Sequence, residues 1–171
     1  MSLFQRIFGE KRQRAPLRPL YRAVVATGRE AAWYREGGVP DTLDGRFDMI
    51  AAILSLVLLR LEAEGESGTG ASVLLTEIFI HDMDGTLRQL GIGDYVVGKH
   101  IGRMMAALGG RLTALREGRT EGSLREAVTR NIFHEAPPSD AALAFVTRGL
   151  ERFAAALDET PADTILAGGL P

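Results

Sequence analysis

The sequence predicts an all-α fold, a single-domain bundle of about six helices around a central buried helix at about 43–63. Apolar residues recur at spacings of three and four along most of the chain, which is the period of a helix and not of a strand. The run Met49–Leu59 is apolar on nearly every face, which is typical of a helix buried at the centre of a fold. A membrane span needs about 20 apolar residues, so this run is too short to be one.

Length and composition indicate an ordinary globular protein with short tails. The chain has 171 residues, of which 46% are hydrophobic and 25% are charged. Its formal net charge of −2 gives no indication of a nucleic-acid partner. It has no cysteine, which excludes disulfides, thiolate metal ligands and cysteine catalysis. We expect an amphipathic basic segment over 1–15, a helical domain over 16–160 and a flexible tail over 161–171.

The N-terminal segment combines apolar and basic residues and allows two interpretations. It can be a frayed N-terminus that docks on its own domain, or an amphipathic segment that anchors the protein at a membrane surface. In the second interpretation apolar side chains enter the headgroup boundary, and each basic residue near anionic lipid contributes roughly 1 kcal/mol. The membrane-contacting residues would be Leu3, Phe4, Ile7, Phe8, Lys11, Arg12 and Arg14.

Helix-breaking residues (proline and glycine) and capping residues predict where the first helices begin and end. A helix starts near Pro16 and runs to about Glu36, where a pair of glycines ends it. Asp41 or Thr42 can cap the central helix. Asp44 falls in the first turn of that helix, where the helix dipole favours a carboxylate.

The later helices follow from the same kind of signal. The glycine-rich stretch 64–70 lacks the ending of a phosphate-binding loop, so we interpret it as a linker. Periodic segments then predict helices over 74–90 and over about 95–116. Ser123-Leu124-Arg125-Glu126 has the capping-box pattern and opens a short helix, and Ser139 caps the last one.

Three glycines, Gly98, Gly102 and Gly109, lie along one stripe of the helix predicted over 95–116. Each glycine inside a helix is less favourable than alanine by roughly 1 kcal/mol. Something should therefore approach this stripe closely. Another helix of the same chain and a bound partner segment are the two interpretations.

The stretch Phe79–Lys99 supports two incompatible interpretations. As a strand that delivers Asp82 and Asp84, it resembles the first motif of the haloacid-dehalogenase-like phosphatases, in which the first Asp is the nucleophile and the second helps to bind magnesium. As a helix, it places its apolar residues at helical spacing and makes Asp84 and Arg88 an i,i+4 ion pair. Because no alternating strands and helices follow, we favour the helix and keep the phosphatase as the alternative function.

The helical interpretation puts Asp82 beside apolar neighbours, so its carboxylate requires a partner. Arg46, Lys99 or a helix N-terminus can serve, and the expected role is structural. The three histidines lack the i,i+4 spacing of a helical zinc site, and we expect them to be surface residues. The residues themselves predict no catalytic group, no metal and no cofactor.

Two segments together resemble the signatures of the ubiquinol–cytochrome c chaperone family. The first is Val39-Pro40-Asp41-Thr42-Leu43-Asp44-Gly45-Arg46-Phe47-Asp48. The second is the stretch Phe79–Lys99 described above, and Gly110-Arg111 followed by Ala114 resembles the next element of the family. The resemblance covers roughly Leu20–Leu115. The chain departs from the family pattern in having Gln89 where an acidic residue is expected and Leu115 where an aromatic residue is expected.

This resemblance implies an all-helical assembly factor of the respiratory cytochrome bc complex, which binds newly synthesised cytochrome b at the membrane surface. Mitochondrial members work with a small helical partner protein. The absence of a visible transit peptide and the compact length suit a bacterial member on the cytoplasmic face of the inner membrane.

The family's motif residues carry over with partner-binding or structural roles and no catalytic one. They are Asp41, Asp44, Arg46, Asp82, Asp84, Arg88, Asp94 and Lys99. A chaperone for a membrane protein has to present an apolar surface to its client. We expect that surface at the glycine stripe and its neighbours, Gly98, Gly102, Arg103, Met105 and Gly109, although core packing explains the stripe equally well.

Overall fold

The computed structural model describes residues 15–89, 94–134 and 136–171. Within these ranges the chain forms a 3₁₀ turn and eight α-helices and contains no strand, so the all-α prediction is confirmed. Six of these helices have seven residues or more, which agrees with the predicted bundle. In chain order they are α1 (Arg18–Gly28), α2 (Ala31–Arg35), α3 (Leu43–Glu62), α4 (Glu66–Gln89), α5 (Asp94–Glu121), α6 (Arg125–Asn131), α7 (Asp140–Glu159) and α8 (Ala162–Leu166).

The central helix α3 lies where the sequence predicts it and is in contact with α1, α4, α5 and α7. Every residue from Asp48 to Leu58 is buried, as the uniform apolar character of this stretch requires. Ser55 is fully buried as well, and its hydroxyl donates to the carbonyl of Ala51 at 2.7 Å, which satisfies its hydrogen-bonding need inside the helix. No helix in the described ranges is long and apolar enough to cross a membrane.

The prediction of one continuous helix from Pro16 to Glu36 is wrong, because this stretch is divided into α1 and α2. Two aromatic side chains of α2 bond back to the end of α1: Trp33 Nε1 donates to the Thr27 carbonyl at 2.8 Å, and the Tyr34 hydroxyl donates to the Gly28 carbonyl at 2.7 Å. Carbonyl groups at a helix end need such partners. The same bonds turn the chain so that Trp33 is buried.

The stretch interpreted as a linker over 64–70 is mostly helical, since α4 already begins at Glu66. Gly65 has a positive φ of 65° and makes the turn after α3. Gly68 then passes so close to α3 that an added Cβ would lie 1.8 Å from the Leu61 carbonyl oxygen. These glycines therefore permit a tight helix-to-helix connection and not a loose loop.

Two further predictions are corrected near the C-terminus. Ser123 does not form the capping box, because its hydroxyl accepts from the Arg125 amide while the side chain of Glu126 bonds Arg130.

In place of a flexible tail, α8 buries Ile165 completely. The predicted cap at Ser139 is confirmed, with its Oγ accepting from the Ala142 amide at 3.1 Å.

The contact between α1 and α3 gives a stability test. Replacing Gly28 with alanine would put a Cβ 2.8 Å from the Cα of Ile50, and the backbone of a central helix cannot give way. We expect Gly28→Ala to lower the free energy of unfolding by about 1–3 kcal/mol, measured by urea denaturation.

The matched control is Gly70→Ala in α4, where an added Cβ meets nothing within 4 Å. This change should leave stability unaltered or raise it by about 0.4–1 kcal/mol. Equal effects of the two substitutions would contradict the close packing of α1 on α3.

Candidate functional site

An apolar pocket of ≈ 200 Å³ lies where the beginning of α3, the second half of α4 and the first half of α5 meet. The two segments that carry the family resemblance both contribute to it. Its walls are formed by Leu43, Asp44, Phe47, Met83, Thr86, Arg103, Met104 and Ala107. This is the site in the described structure where the sequence signatures converge.

The start of α3 positions one side of the pocket. Thr42 is the N-cap, and its Oγ1 accepts from the Gly45 amide at 3.1 Å, as predicted. A Cβ at Gly45 would lie 2.0 Å from the Pro40 carbonyl oxygen, so this turn into the helix requires glycine. One turn later, Phe47 packs on Phe79 of α4 with 5.7 Å between ring centroids. The cap and the ring contact together fix the wall.

The rim of the pocket combines apolar surface with opposite charges. Leu43 exposes 54% of its surface at the rim, an unusual fraction for a large apolar side chain. Asp44 and Arg103 are exposed and place a carboxylate and a guanidinium on the same pocket. Met83 and Met104 supply flexible, polarisable walls that can adapt to different side chains. The pocket can therefore accept an apolar side chain and pair with polar groups beside it.

Behind the pocket, a buried ion pair joins α3 to α5. The Arg111 guanidinium donates to the Asp48 carboxylate, and both residues are almost completely buried. The same guanidinium donates to the Asn131 carbonyl at 3.1 Å and lies 5.3 Å from the centre of the Phe47 ring. His134, at a positive φ of 49°, places Nε2 2.8 Å from the second Asp48 oxygen.

Burial opposes the charged form of both partners. It raises the pKa of Asp48, while Arg111 and then His134 act in the opposite direction. It also lowers the pKa of Arg111, against the favourable effect of Asp48. The Arg111 Nε is buried and has no hydrogen-bond partner among the described residues. The pair is thus held by the surrounding packing at a considerable desolvation cost.

Sequence reasoning missed Asp48 and Arg111 as site residues, although both lie in the segments that resemble the family. The available signal was a charged residue at an apolar helical position. Arg111 is three residues after Leu108 and four before Leu115, both of which are buried. His134 was expected to be an ordinary surface residue. It is exposed, but it bonds the buried carboxylate.

The predicted charged residues near α3 and α4 are distributed over several contacts. Asp41 accepts from Arg46 Nε at 2.6 Å, and this bond lowers the pKa of Asp41. The predicted pair of Asp84 with Arg88 is confirmed at 2.8 Å. Lys99 is exposed on α5. Asp94 begins α5, and its side chain lies outside what the structure describes.

The prediction for Asp82 is wrong in its burial and in its partner. The residue is exposed, and its carboxylate accepts from the Tyr21 hydroxyl at 2.8 Å rather than bonding Arg46, Lys99 or a helix N-terminus. The reason is that α1 packs beside α4 and brings Tyr21 to its edge. Burial, followed by the bond to Asp82, raises the pKa of the Tyr21 phenol.

The phosphatase interpretation does not agree with this geometry. Asp82 and Asp84 lie within one continuous helix, α4, and not at the end of a strand. In the ranges described, no group of three or more His, Asp or Glu side chains is placed to hold a metal ion. The helical interpretation of this stretch is confirmed.

The predicted client surface is divided between two faces of α5. Gly98, Gly102 and Gly109 are exposed, and among the described residues an added Cβ at any of them would meet nothing within 4 Å. The interpretation of the stripe as a core-packing surface is therefore wrong for the part of the chain that the structure describes. Met105 lies on the glycine side of the helix, whereas Arg103 lines the apolar pocket.

The buried pair can be tested by removing one partner. Arg111→Met leaves the Asp48 carboxylate buried without its guanidinium, and we expect a loss of about 3–5 kcal/mol in the free energy of unfolding at neutral pH. The double variant Asp48→Leu/Arg111→Met removes both charges and should recover most of this loss. Urea denaturation measures both.

The pH dependence of the same variants has a defined sign. A buried carboxyl whose pKa is raised in the folded protein binds a proton more readily than in the unfolded chain, so its folded state gains stability as the pH falls and loses it as the pH rises. The defect of Arg111→Met should therefore be smaller at about pH 5 than at about pH 8. A defect independent of pH, or a double variant no better than the single one, would contradict an uncompensated buried charge.

Comparisons with known proteins agree with the sequence signatures. Residues 35–170 match the family model described as Ubiquinol-cytochrome C chaperone. The crystal structure of the Cbp3 homolog from Brucella abortus is similar to this chain, with a TM-score of 0.79 and 27% sequence identity, over 98% of this chain and 93% of that chain. No curated protein sequence matches significantly. The family match spans most of the chain, and the chain belongs to the ubiquinol–cytochrome c chaperone family.

Proposed function

We propose that this chain binds newly synthesised cytochrome b through the apolar pocket between α3, α4 and α5. Membership of the family supports a role as an assembly chaperone of the cytochrome bc complex. The observation that carries the proposal is that both resemblance segments line one apolar pocket, with the exposed Leu43 at its rim. A chaperone for a membrane protein needs such a surface, because its client presents apolar segments before assembly.

The size of the pocket suits an anchor for one or two side chains. Pockets for small-molecule ligands have volumes of about 300–1,000 Å³, and this one is smaller. An apolar side chain of the client would enter between Phe47, Met83 and Met104. Asp44 and Arg103 would then pair with polar groups at the end of a client helix. The remaining contact area has to come from neighbouring surfaces.

The glycine stripe of α5 is the second surface that we assign to the client. Gly98, Gly102 and Gly109 weaken the helix, and nothing in the described chain approaches them. A partner helix could approach this backbone closely, as small residues allow between helices in membranes. A small helical partner protein is an alternative occupant of the stripe.

We further propose that the protein acts as a peripheral protein on the cytoplasmic face of a bacterial inner membrane. The basis is the N-terminal segment, whose residues Leu3, Phe4, Ile7, Phe8, Lys11, Arg12 and Arg14 lie outside the described residues. Apolar and basic side chains in one short segment suit weak binding to anionic lipid. The net charge of −2 favours no nucleic-acid partner.

Photo-crosslinking in cells that make cytochrome b tests the pocket. Leu43 and Val73 are exposed to similar extents, 54% and 55%, but only Leu43 lines the pocket. We expect a crosslinking residue at position 43 or at Arg103 to capture cytochrome b, and the same residue at position 73 to capture none. Met105 reports separately on the glycine stripe.

Crosslinks from Met105 alone, with none from Leu43 and Arg103 in a folded protein, would place the client on the glycine stripe and contradict binding at the pocket. Crosslinks from Val73 alone would contradict both surfaces.

A Leu43→Asn variant gives an independent measurement. It should lower the yield of assembled cytochrome bc complex and leave the melting temperature unchanged, because Leu43 is already exposed. A Val73→Asn variant should affect neither quantity.

Liposome flotation tests the N-terminal segment. The full chain should bind vesicles weakly and only when they contain anionic lipid. Salt should abolish binding, since the Debye length falls from about 10 Å at 0.1 M to about 3 Å at 1 M ionic strength. A shortened chain that starts at Pro16 should lose this component. Equal flotation of both proteins would exclude a role for the segment.

A further inference from the structure

A second pocket, of ≈ 580 Å³, lies on the other side of the start of α3 and is strongly basic. It is lined by Arg29, Ala31, Tyr34, Arg35, Asp41 and Arg46. Three guanidinium groups thus face one carboxylate, in a chain whose overall charge is −2. Glu30 and Glu36 lie at the two ends of α2 but do not line the pocket. We propose that this pocket binds a phosphate group.

The arginines of this pocket are available to an anion. Arg29 and Arg35 are exposed, and within the described residues neither pairs with a carboxylate. Asp41 bonds the Nε of Arg46, and the two terminal amino groups of the same guanidinium can donate to a ligand. Planar guanidinium groups bind phosphate through paired, charge-assisted hydrogen bonds. Several arginines in one concave surface are therefore suited to a phosphate.

The pocket is also built on fixed elements. Tyr34 forms part of its lining, and its hydroxyl is held by the Gly28 carbonyl at 2.7 Å, which ties α2 to the end of α1. Burial raises the pKa of the Tyr34 phenol; Arg46 acts to lower it, Asp41 to raise it and Arg29 to lower it. All three charged side chains line the same pocket as Tyr34. A site held in this way loses less conformational entropy when it binds a ligand.

Two sources can supply the phosphate, a lipid headgroup or a soluble phosphorylated molecule. Calorimetry with inorganic phosphate and with glycerol phosphate tests the soluble source. Flotation with phosphatidylglycerol vesicles, against phosphatidylcholine vesicles, tests the headgroup. Every protein in these experiments is the full chain, so that any contribution of the N-terminal segment is the same throughout.

The informative variant is Arg29→Gln/Arg35→Gln, which leaves the Asp41–Arg46 pair intact. The matched control is Arg125→Gln/Arg130→Gln in α6, which removes the same charge from exposed arginines that do not line the pocket. We expect the pocket variant to bind phosphate or anionic vesicles at least about tenfold more weakly than the parent chain, and the control to bind nearly as well.

The outcomes separate the sources and can overturn the proposal. A selective loss with vesicles alone identifies a lipid headgroup, and a selective loss with the soluble ligands identifies a free phosphate compound. Equal affinities of the two variants, or no binding of any probe by the parent chain, would show that the pocket is not a phosphate site. A measured circular dichroism melt for each variant confirms that a loss of binding is not a loss of fold.

Discussion

The ion pair between Asp48 and Arg111 is the contact on which the arrangement of the apolar pocket depends. Asp48 lies one helical turn after Asp44, and Arg111 lies two turns after Met104 on the same face of α5. The pair therefore sets how far along α3 the pocket wall of α5 is placed. An apolar pair of similar size can match a buried ion pair in stability, whereas the ion pair also provides a directional bond between the two helices.

The contacts of Asp48 with two separate parts of the chain extend this constraint. Arg111 comes from α5, and His134 from the turn after α6. Arg111 also donates to the Asn131 carbonyl at the end of α6, so one guanidinium orients α3, α5 and α6 together. Phe47 receives the guanidinium against its ring and presents another surface to the pocket. A buried polar pair thus lies directly behind the wall of the apolar pocket.

The sequence predicts the local features of this fold well because they depend on neighbours in the chain. The position of α3, the Ser139 cap and the Asp84–Arg88 pair each follow from residues within one or two turns. The partner of Asp82 does not, since Tyr21 is 61 positions away. The Asp48–Arg111 pair spans 63 positions. Such contacts are decided by how helices pack, and a single sequence contains little information about that packing.

The exposed glycines of α5 are a second case in which the sequence does not determine which element packs where. Their spacing along the helix predicted that another element approaches them closely, because each glycine lowers the stability of a helix relative to alanine. The structure leaves Gly98, Gly102 and Gly109 open. Nothing in the described chain packs on the stripe and offsets this cost, which is why we propose it as a surface for a partner. Sequence periodicity could identify the stripe but not whether its partner belongs to the same chain.

The start of α3 separates two surfaces of different chemistry. Leu43 and Phe47, four residues apart, line the apolar pocket, while Arg46 lines the basic one. The Thr42 cap fixes the beginning of the helix and thus holds both surfaces at once. In a membrane the apolar segments of a protein end at the phosphate groups of the lipids. Under the two proposals, a client bound at that boundary would supply the apolar side chain and a neighbouring lipid would supply the phosphate. The start of α3 would then contact both.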